Sequence, residues 1–519
     1  MKTIKILSNR ILLIKFKTKS RSEFETTLYT IKQIDGRRYD NNIKAWTIPN
    51  TPENIEKLKS MKFKVEGEKI FGKIIIILTN NYIRIHGQYE DLISINGEFI
   101  FDDLSYCFAG GKFDASKIYK KDQCKIKDNV LFIPIGFYKD LMKYIDKNKI
   151  LYDFEDTRRS EFKMLDEKIK SNLHYLELYD YQIEAIKICI EKKNAIIKLP
   201  TSAGKTEIFL SLCNLMNLKT LILFNRISLA QQTLQRAIKA GLDVGIVQGN
   251  NVDENHKIVM CTIQSQKKIK NEYQMIVCDE VHRCRSSSYH KVLKKSQFEY
   301  RFGFSATPFI KDKYKNALVK KWIGDIEFTI PASVLVEQKR IAEPIIKIIE
   351  VTSPHTISEL KWPEIEQKGI IENSYRNGMI YKIAMNNAFT LILVKRIFHG
   401  RILEEMIPNS IFLSGIDENI EREKVIEKFK MGDIILIAST IFDEGISINA
   451  IKNLVIASGG SSQIKSIQRL GRGLRIDEDK KTVNIYDFMD LTNPILERHS
   501  KSRISDYKKE GFKNIKMEE

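Results

Sequence analysis

The chain has 519 residues, 43% of them hydrophobic, which is enough for about three domains with cores of their own. Its net charge of +19 favours a polyanionic partner, because neutralised phosphates release counterions. Charge by itself does not separate a nucleic acid from an anionic membrane, but no apolar run approaches the roughly 20 residues of a membrane span. Arg10 interrupts the N-terminal apolar run and no small-residue cleavage site follows, so a signal peptide is not expected.

The pattern of cysteines bears on metal binding and on the redox state of the thiols. Seven cysteines are scattered without a Cys-x-x-Cys pair, which predicts no structural zinc and reduced thiols in a cytoplasm.

Residues 1–66 are predicted to form a small basic α+β module, with a strand-like run from Arg10 to Lys17 and helical spacing from Ser22 to Ile34. Candidate nucleic-acid contacts in it are Arg37, Arg38, Lys44 and Trp46. For Trp46 we favour the alternative of a core residue.

Residues 67–168 are predicted to form a second α+β domain that binds DNA, and they contain no catalytic constellation. A hairpin is indicated from Ile74 to Ile85, a buried strand from Val130 to Ile135 and an amphipathic helix from Gly136 to Lys149. The charged stretch from Asp153 to Arg159 is interpreted as a linker.

A phosphate-binding loop is predicted where an apolar strand ends at Leu199 and a helix follows. Small residues between them allow backbone N–H groups to surround a polyphosphate at the helix N-terminus. Lys205 is expected to reach the β- and γ-phosphates, and the Thr206 hydroxyl to hold Mg²⁺. The residues assigned to the loop are Thr201, Ser202, Ala203, Gly204, Lys205 and Thr206. Leu199 departs from the motif, which opens with Gly.

Two further clusters complete the predicted chemistry. Asp279 and Glu280 end a short apolar strand, where the first would bind Mg²⁺ through water and the second would polarise the attacking water. Far downstream, Gln468, Arg472 and Arg475 would reach a transferred phosphoryl group from a second lobe. The alternatives are a solvated acidic turn and a basic surface helix.

The phosphate loop, the box Asp279-Glu280-Val281-His282 and the run QRLGRGLR, in this order, resemble the superfamily 2 helicases and translocases. The acidic box has the DEVH spelling of XPB-like members, and the loop PTSAG looks most like UvsW-type phage helicases. The resemblance extends from near Leu178 to near Asp487. The N-terminal run around KAWTIP resembles the HARP-type module of annealing helicases.

The resemblance implies an α/β fold with two RecA-like parallel-sheet motor lobes behind N-terminal α+β accessory domains. The lobes would span residues 169–345 and 346–487, and 488–519 would be a charged helical tail at the surface. ATP and Mg²⁺ are the implied cofactors. Gln182 would read adenine, with a buried capping glutamine as the alternative, and Gly445 would line the nucleotide site. Tyr179 stands where the family usually has Arg.

The family also implies contacts with the tracked strand and a relay between the two sites. The strand contacts would come from Arg226, Thr262, Gln264 and Thr440, and the relay from His282, Ser305 and Thr307. The run Ser305-Ala306-Thr307 matches the family's Ser-Ala-Thr motif. Helix caps of an ordinary α/β domain would place polar residues at several of these positions too.

We therefore expect an ATP-dependent DNA helicase or translocase that remodels, unwinds or anneals branched or forked DNA. The sequence does not determine the oligomeric state, for which we favour a monomer. The phage-type resemblance makes a phage-encoded protein that acts inside a bacterial host a candidate. The alternatives are an RNA helicase, a nucleic-acid clamp with a degenerate ATP site, and the motor subunit of a restriction system. Leu199 and Tyr179 are the residues that leave the clamp with a degenerate ATP site as an alternative, because both depart from the family pattern.

Overall fold

The computed structural model describes residues 2–7, 11–41, 43–66, 71–105, 107, 118–158, 178–295, 297–353, 361–415, 417, 419–439, 450–460 and 481–518. Within these residues the strands form four sheets of five to eight strands and one two-stranded ribbon. Two small sheets precede two larger sheets in which most neighbouring strands are parallel. The predicted α/β class is confirmed. None of the described helices is long and apolar enough to cross a membrane.

The first module is a five-stranded sheet in the order β3-β4-β2-β1-β5 with two helices against it. Ser20 caps the first helix by accepting a hydrogen bond from the Glu23 N–H. The residues from Ile11 to Ile14 are all buried, because alternate side chains of β2 enter two different apolar clusters on its two faces. The elements are β1 (Lys2–Ile6), β2 (Ile11–Phe16), α1 (Arg21–Lys32), β3 (Arg38–Asp40), β4 (Ala45–Pro49), α2 (Pro52–Ser60) and β5 (Lys64–Glu66).

The second module is a five-stranded sheet in the order β10-β11-β7-β6-β12, and the predicted hairpin and helix are both present. Helix α4 buries Leu141 and Ile145 against the sheet, which is the apolar face that its spacing indicated. The elements are β6 (Ile74–Leu78), β7 (Tyr82–His86), α3 (Tyr89–Gly97), β8 (Ile100–Asp103), β9 (Tyr119–Asp122), β10 (Lys125–Lys127), β11 (Val130–Pro134), α4 (Tyr138–Lys147) and β12 (Tyr152–Asp156).

The interpretation of Asp153 to Arg159 as a linker is wrong for its first half. Strand β12 covers Tyr152–Asp156 and pairs with β6 in parallel, so it closes one edge of the second sheet. All five of its residues are exposed, which is typical of an edge strand and explains the charged sequence. Backbone hydrogen bonds to β6 hold this strand in the sheet, and the pattern of side chains in the sequence does not indicate such bonds.

The second module is docked on the first motor lobe through polar contacts as well as apolar ones. The Arg301 guanidinium is fully buried, donates to the Leu293 carbonyl at 2.8 Å and also bonds Asn81 Oδ1 in the hairpin turn. Tyr82 packs edge-on against Trp322 with ring centroids 5.5 Å apart. Accessory module and lobe therefore share a buried boundary.

The first lobe is an eight-stranded sheet in the order β16-β15-β17-β14-β18-β19-β13-β20. Its central strands are short apolar runs buried on both faces, as expected for parallel strands covered by helices. The elements are α5 (Asp180–Lys192), β13 (Asn194–Lys198), α6 (Lys205–Met216), β14 (Thr220–Phe224), α7 (Ile227–Lys239), β15 (Val244–Gln248), β16 (Asn251–Val252), β17 (Ile258–Thr262), β18 (Met275–Asp279), α8 (Ser287–Lys295), β19 (Tyr300–Ser305), α9 (Lys313–Ile323), β20 (Ile326–Thr329) and α10 (Ala332–Glu337).

The second lobe is a seven-stranded sheet in the order β23-β24-β22-β25-β26-β21-β27. Its elements are β21 (Glu343–Val351), α11 (Trp362–Glu366), α12 (Ser374–Asn386), β22 (Thr390–Leu393), α13 (Ile397–Met406), β23 (Ser410–Leu413), α14 (Asn419–Met431), β24 (Ile435–Ala438), β25 (Asn453–Ile456), β26 (Thr482–Asp490), α15 (Pro494–Lys509) and β27 (Ile515–Glu518). Its first strand begins at Glu343, so the lobe starts a few residues before the predicted boundary at 346.

The interpretation of residues 488–519 as a surface tail is wrong. Helix α15 is present, but β27 follows it and pairs in parallel with β21, which makes this segment part of the second sheet. Arg503 and Tyr507 are buried and both bond the Asp487 carboxylate, the arginine at 3.0 Å and the hydroxyl at 2.7 Å. The charges that made the segment look solvated are thus partly paired inside the lobe.

Candidate active site

The predicted phosphate loop lies between β13 and α6, at the carboxyl end of a parallel strand. Ser202 and Gly204 have φ values of 70° and 73°, so the loop passes twice through the left-handed region. A Cβ on Gly204 would stand 2.3 Å from Gln182 Nε2, which restricts this position to glycine. The Lys205 ammonium donates to the Pro200 carbonyl at 3.3 Å and therefore points back across the loop. This cradle fits a polyphosphate.

Leu199, which replaces the usual first glycine, does not obstruct the loop. Its side chain is fully buried in the main core, so it points away from the phosphate side. Its backbone N–H donates to the Ser305 carbonyl at 3.2 Å. The core accommodates the leucine that replaces glycine. The hydrogen bond attaches the start of the loop to the end of β19, where the Ser-Ala-Thr motif begins.

Gln182 and its neighbour Tyr181 both form hydrogen bonds with the phosphate loop. Gln182 is buried, accepts the Tyr179 N–H at 2.9 Å and donates to the Ala203 carbonyl at 3.4 Å. The Tyr181 hydroxyl donates to the same carbonyl at 2.9 Å. The structure thus gives Gln182 a capping place at the start of α5, and the adenine contact stays a prediction. Sequence reasoning missed Tyr181.

The acidic box lies at the end of β18, where Glu280 takes up a left-handed conformation with φ of 49°. His282 Nδ1 lies 3.2 Å from Glu280 Oε2 and 3.1 Å from Ser305 Oγ, and the Ser305 hydroxyl donates to Glu280 Oε2 at 3.1 Å. The Thr307 N–H donates to the same serine oxygen at 3.1 Å. The four residues predicted as base and relay therefore form one hydrogen-bonded cluster.

Charges and hydrogen bonds hold the Glu280 carboxylate ionised. Burial would raise the pKa of Glu280, but the His282 hydrogen bond, the Lys205 charge and the Ser305 hydroxyl outweigh it and lower the pKa to about 2. The positive charge of Lys205 in the phosphate loop thus favours the ionised form of this carboxylate. An ionised carboxylate opposite the loop can orient a water molecule for attack on a phosphoryl group.

Thr206 and Asp279 provide oxygen ligands of the kind that Mg²⁺ takes in nucleotide sites, where phosphates and waters supply the rest. Thr206 lies in the first turn of α6 and Asp279 ends β18, and both side chains are half-buried. In the part of the chain that is described, no group of three or more His, Cys, Asp or Glu side chains is placed to hold a metal ion by itself. The donor set fits a Mg²⁺ bound together with a nucleotide.

The predicted strand contacts lie at the carboxyl edges of neighbouring strands. Arg226 is the N-cap residue of α7, directly after β14. Gln264 Nε2 donates to the Asn225 carbonyl at 3.2 Å, which links the ends of β17 and β14. Thr262 is buried and bonds Ser265 at 3.1 Å, so its hydroxyl faces the protein. Their contacts with nucleic acid stay predictions.

Five predicted site residues lie outside the described residues. They are Thr440, Gly445, Gln468, Arg472 and Arg475. In the sequence, Thr440 and Gly445 lie between β24 and β25, and the other three lie between β25 and β26; all three strands belong to the second sheet.

A repeat between the lobes identifies two residues that sequence reasoning missed. The six strands β13, β14, β15, β17, β18 and β19 lie in the same spatial order as β21, β22, β23, β24, β25 and β26. The equivalent strands β14 and β22 begin the runs LILFNRI and LILVKRI, so Arg396 corresponds to Arg226. Arg396 donates to Glu366 Oε2 at 2.9 Å, and Lys395 also bonds this carboxylate. Alignment of the two halves of the chain would have found both residues.

Comparisons with known proteins agree with this geometry. Residues 175–310 match the model for the type III restriction enzyme res subunit, and residues 388–477 match the helicase conserved C-terminal domain. The chain is similar to the DNA 3'-5' translocase XPB2 of Sulfurisphaera tokodaii, with 25% identity over 67% of this chain and 88% of the relative. It is also similar to a putative ATP-dependent RNA helicase of Acanthamoeba polyphaga mimivirus, with 26% identity over 74% of this chain and 76% of the relative. A third relative is the ATP-dependent DNA helicase uvsW of Enterobacteria phage T4, with 24% identity over 70% of this chain and 81% of the relative. The matched models span both lobes and include the loop and the acidic box, and the chain belongs to the superfamily 2 helicases, enzymes that hydrolyse ATP.

Proposed function

We propose that this enzyme is a DNA translocase that uses ATP hydrolysis to remodel branched or forked DNA. The observation that carries the motor function is the position of Ser305. Its hydroxyl bonds Glu280, and its carbonyl accepts the N–H at the start of the phosphate loop. A change at the nucleotide can therefore be transmitted through Ser305 to Thr307, whose N–H donates to the Ser305 hydroxyl oxygen.

The residues of this chain would divide the work as follows. The loop from Thr201 to Thr206 binds the polyphosphate and Lys205 neutralises its charge. Thr206 and Asp279 would hold Mg²⁺, which supplies charge neutralisation at the transferred phosphoryl group. Glu280 orients the attacking water. Arg472 and Arg475 are proposed to complete the site from the second lobe, with Gln468 beside them.

Coupling to a strand requires a surface that contacts phosphates on both lobes. Arg226 and Arg396 lie at equivalent helix N-termini, after equivalent strands. Helix N-termini and arginine side chains are common phosphate ligands. Closure of the lobes around ATP would change the distance between these two contacts, so one step along the strand would follow each hydrolysis.

The preference for DNA is supported by the names of two relatives, a DNA translocase and a DNA helicase. An RNA helicase is the second candidate, because a third relative carries that name. A clamp with a degenerate ATP site is disfavoured by the assembled cluster of Glu280, His282 and Ser305, since a site without hydrolysis would not need it. A restriction motor would require a nuclease on another chain.

The preference for branched DNA is supported by the accessory modules. The first packs on the second, where Lys5 and Lys15 both pair with Glu90 at 2.7 and 2.9 Å. The second is docked on the first lobe through Arg301. The first module is thus held on the lobe through the second, and the two together can hold a second DNA arm beside the tracked strand.

Steady-state ATP hydrolysis is the measurement that tests the proposal. Rates would be compared without nucleic acid and with single-stranded DNA, duplex DNA, a synthetic fork and RNA, at one salt concentration. We expect the fork to stimulate most. Greater stimulation by RNA would move the function to RNA unwinding, and no hydrolysis with any of them would favour the clamp. Lys205→Ala, which should abolish turnover while nucleic-acid binding persists, controls for contaminating ATPases.

A further inference from the structure

Glu366 is a buried carboxylate of the second lobe that bonds two cations next to each other in the chain. Arg396 donates to Glu366 Oε2 through Nε at 2.9 Å and through Nη2 at 2.5 Å. The Lys395 ammonium bonds Glu366 Oε1. Because an unpaired charge in the interior is strongly destabilising, the carboxylate needs these partners. The fold therefore keeps both cations directed at Glu366.

The two cations reach the surface, whereas the carboxylate does not. The side chain of Arg396 is 51% exposed and that of Lys395 is 31% exposed, against 4% for Glu366. The bonds to Glu366 use Nε and Nη2, which form one edge of the planar guanidinium. Its other edge, Nη1 with the second N–H of Nη2, takes no part in them. That edge has the geometry to bind a phosphate through two parallel hydrogen bonds.

A segment that crosses the carboxyl edge of the second sheet brings Glu366 to this place. Glu366 ends α11, and one turn of π-helix, Gln367–Ile371, follows it. In that turn Ile370 packs so closely on Gly459, just after β25, that the glycine position has no room for a Cβ. Such π-turns are frequent at functional sites. The carboxylate is thus fixed beside the residues that follow β22, where Arg396 caps α13.

Lys395 has a second restraint in the aromatic side chain at the start of α11. Its ammonium lies 5.6 Å from the centroid of the Trp362 ring, within the range of a cation–π attraction. The Trp362 ring in turn packs on His499, with ring centroids 4.7 Å apart. The lysine is therefore held between a ring and a carboxylate, and both cations have a defined direction.

We propose that Glu366 is a positioning residue that holds Arg396 and Lys395 ready for the phosphates of the tracked strand, and this role rests on the strand contact proposed above. A flexible arginine or lysine loses rotamer freedom when it binds a phosphate, and that loss lowers affinity. Here Glu366 has already ordered both side chains during folding. The negative charge of Glu366 opposes phosphate binding, but salt screens that effect, whereas the gain from positioning does not depend on salt.

Equilibrium binding of single-stranded DNA to the full-length chain at several salt concentrations separates these two effects. The plot of log K against log salt is linear, and its value extrapolated to about 1 M salt gives the affinity without counterion release. Glu366→Gln keeps the shape of the side chain. It should lower the extrapolated affinity by roughly threefold to tenfold without lowering the slope. Steady-state ATP hydrolysis should show a higher KM for DNA and an unchanged kcat.

A double-mutant cycle tests whether Glu366 acts through Arg396. In the Arg396→Ala background, Glu366→Gln should change the extrapolated affinity by less than about twofold. Arg396→Lys keeps the charge but loses the planar fork, so it should reproduce the effect of Glu366→Gln, and it tests the proposal even if the glutamine variant does not fold. Glu404→Gln is the matched control on α13, since Glu404 pairs at 2.6 Å with the exposed Arg401, and it should bind DNA normally.

Glu366→Gln with an extrapolated affinity equal to or above that of the unaltered chain would overturn the positioning role. A fall of kcat at saturating DNA would overturn it too, because it would indicate damage to the lobe as a whole. These results differ from failure of the proposed function. If Arg396→Ala left both slope and affinity unchanged, the strand contact itself would be wrong, and Glu366 would have nothing to position.

Discussion

The Ser305 hydroxyl donates a 3.1 Å hydrogen bond to Glu280 Oε2, although Ser305 ends β19 and Glu280 directly follows β18. The bond places a residue of the Ser-Ala-Thr motif directly on the carboxylate that faces the phosphate loop. Hydrogen bonds to an ionised carboxylate are among the stronger ones in proteins. Ser305 can therefore affect both hydrolysis and the communication between sites.

Ser305→Ala should lower the DNA-stimulated kcat by about tenfold to a hundredfold, because a hydrogen bond to a charged group contributes about 1.5–3 kcal/mol. DNA affinity should change by less than about threefold, since the hydroxyl faces Glu280. Steady-state kinetics and equilibrium binding would measure the two effects. Ser211→Ala is the control, because the buried Ser211 hydroxyl has no partner among the described residues. A kcat as high as that of the control would contradict the relay.

Arg226→Ala and Arg396→Ala should each weaken binding to DNA of any sequence. If each arginine contacts one phosphate, the slope of log K against log salt should fall by about one for each variant. Binding titrations at several salt concentrations would measure it. Arg401→Ala is the control on α13, where this exposed arginine pairs with Glu404 at 2.6 Å. A slope that is unchanged in both test variants would place the strand elsewhere.

Arg301→Ala should lower the free energy of unfolding by about 2–4 kcal/mol, because the Leu293 carbonyl and Asn81 would lose a buried donor. Thermal and urea unfolding of the full chain would measure the loss. Arg21→Ala removes an arginine that is 93% exposed, and it should cost less than about 0.5 kcal/mol. Equal stability of the two variants would mean that Arg301 does not hold the second module on the lobe.

His399 should make the stability of the second lobe sensitive to mild acid. Burial lowers the pKa of His399 from 6.5 to about 3, and nearby Arg376 adds to the effect. Between these pKa values the unfolded chain binds a proton that the folded lobe does not, so stability falls as pH decreases below about 6.5. From pH 7.5 to 5.5 the loss should be about 1.4 kcal/mol.

Urea unfolding at several pH values would measure this loss. His399→Gln should flatten the pH dependence of the free energy of unfolding. His256→Gln provides a comparison, because it changes a partly exposed histidine whose pKa is raised by Asp243. The raised pKa makes His256 stabilising in acid, so its removal should steepen the loss. An identical pH dependence in the His399 variant would contradict the assignment.

Local runs of sequence carried the site chemistry. The phosphate loop and the acidic box are each contiguous, so their residue types and spacing determine which groups stand at the end of a strand or the start of a helix. The apolar strands between them indicated parallel sheets for the same reason. Gln182 was assigned to the correct helix start, and its capping role was among the alternatives.

The tertiary structure decided whatever depends on residues far apart in the chain. Strand β12 and the pairing of β27 arise from backbone ladders, which charged side chains neither require nor reveal. Asp487 and Arg503 lose their solvated character because folding brings them together in the second lobe. The contact of Arg340 with Tyr179 depends on how the segment between α10 and β21 returns to the first lobe. By itself the sequence determined the residues of the chemistry, and the long-range packing decided which of them meet, because burial and pairing depend on contacts that no local pattern encodes.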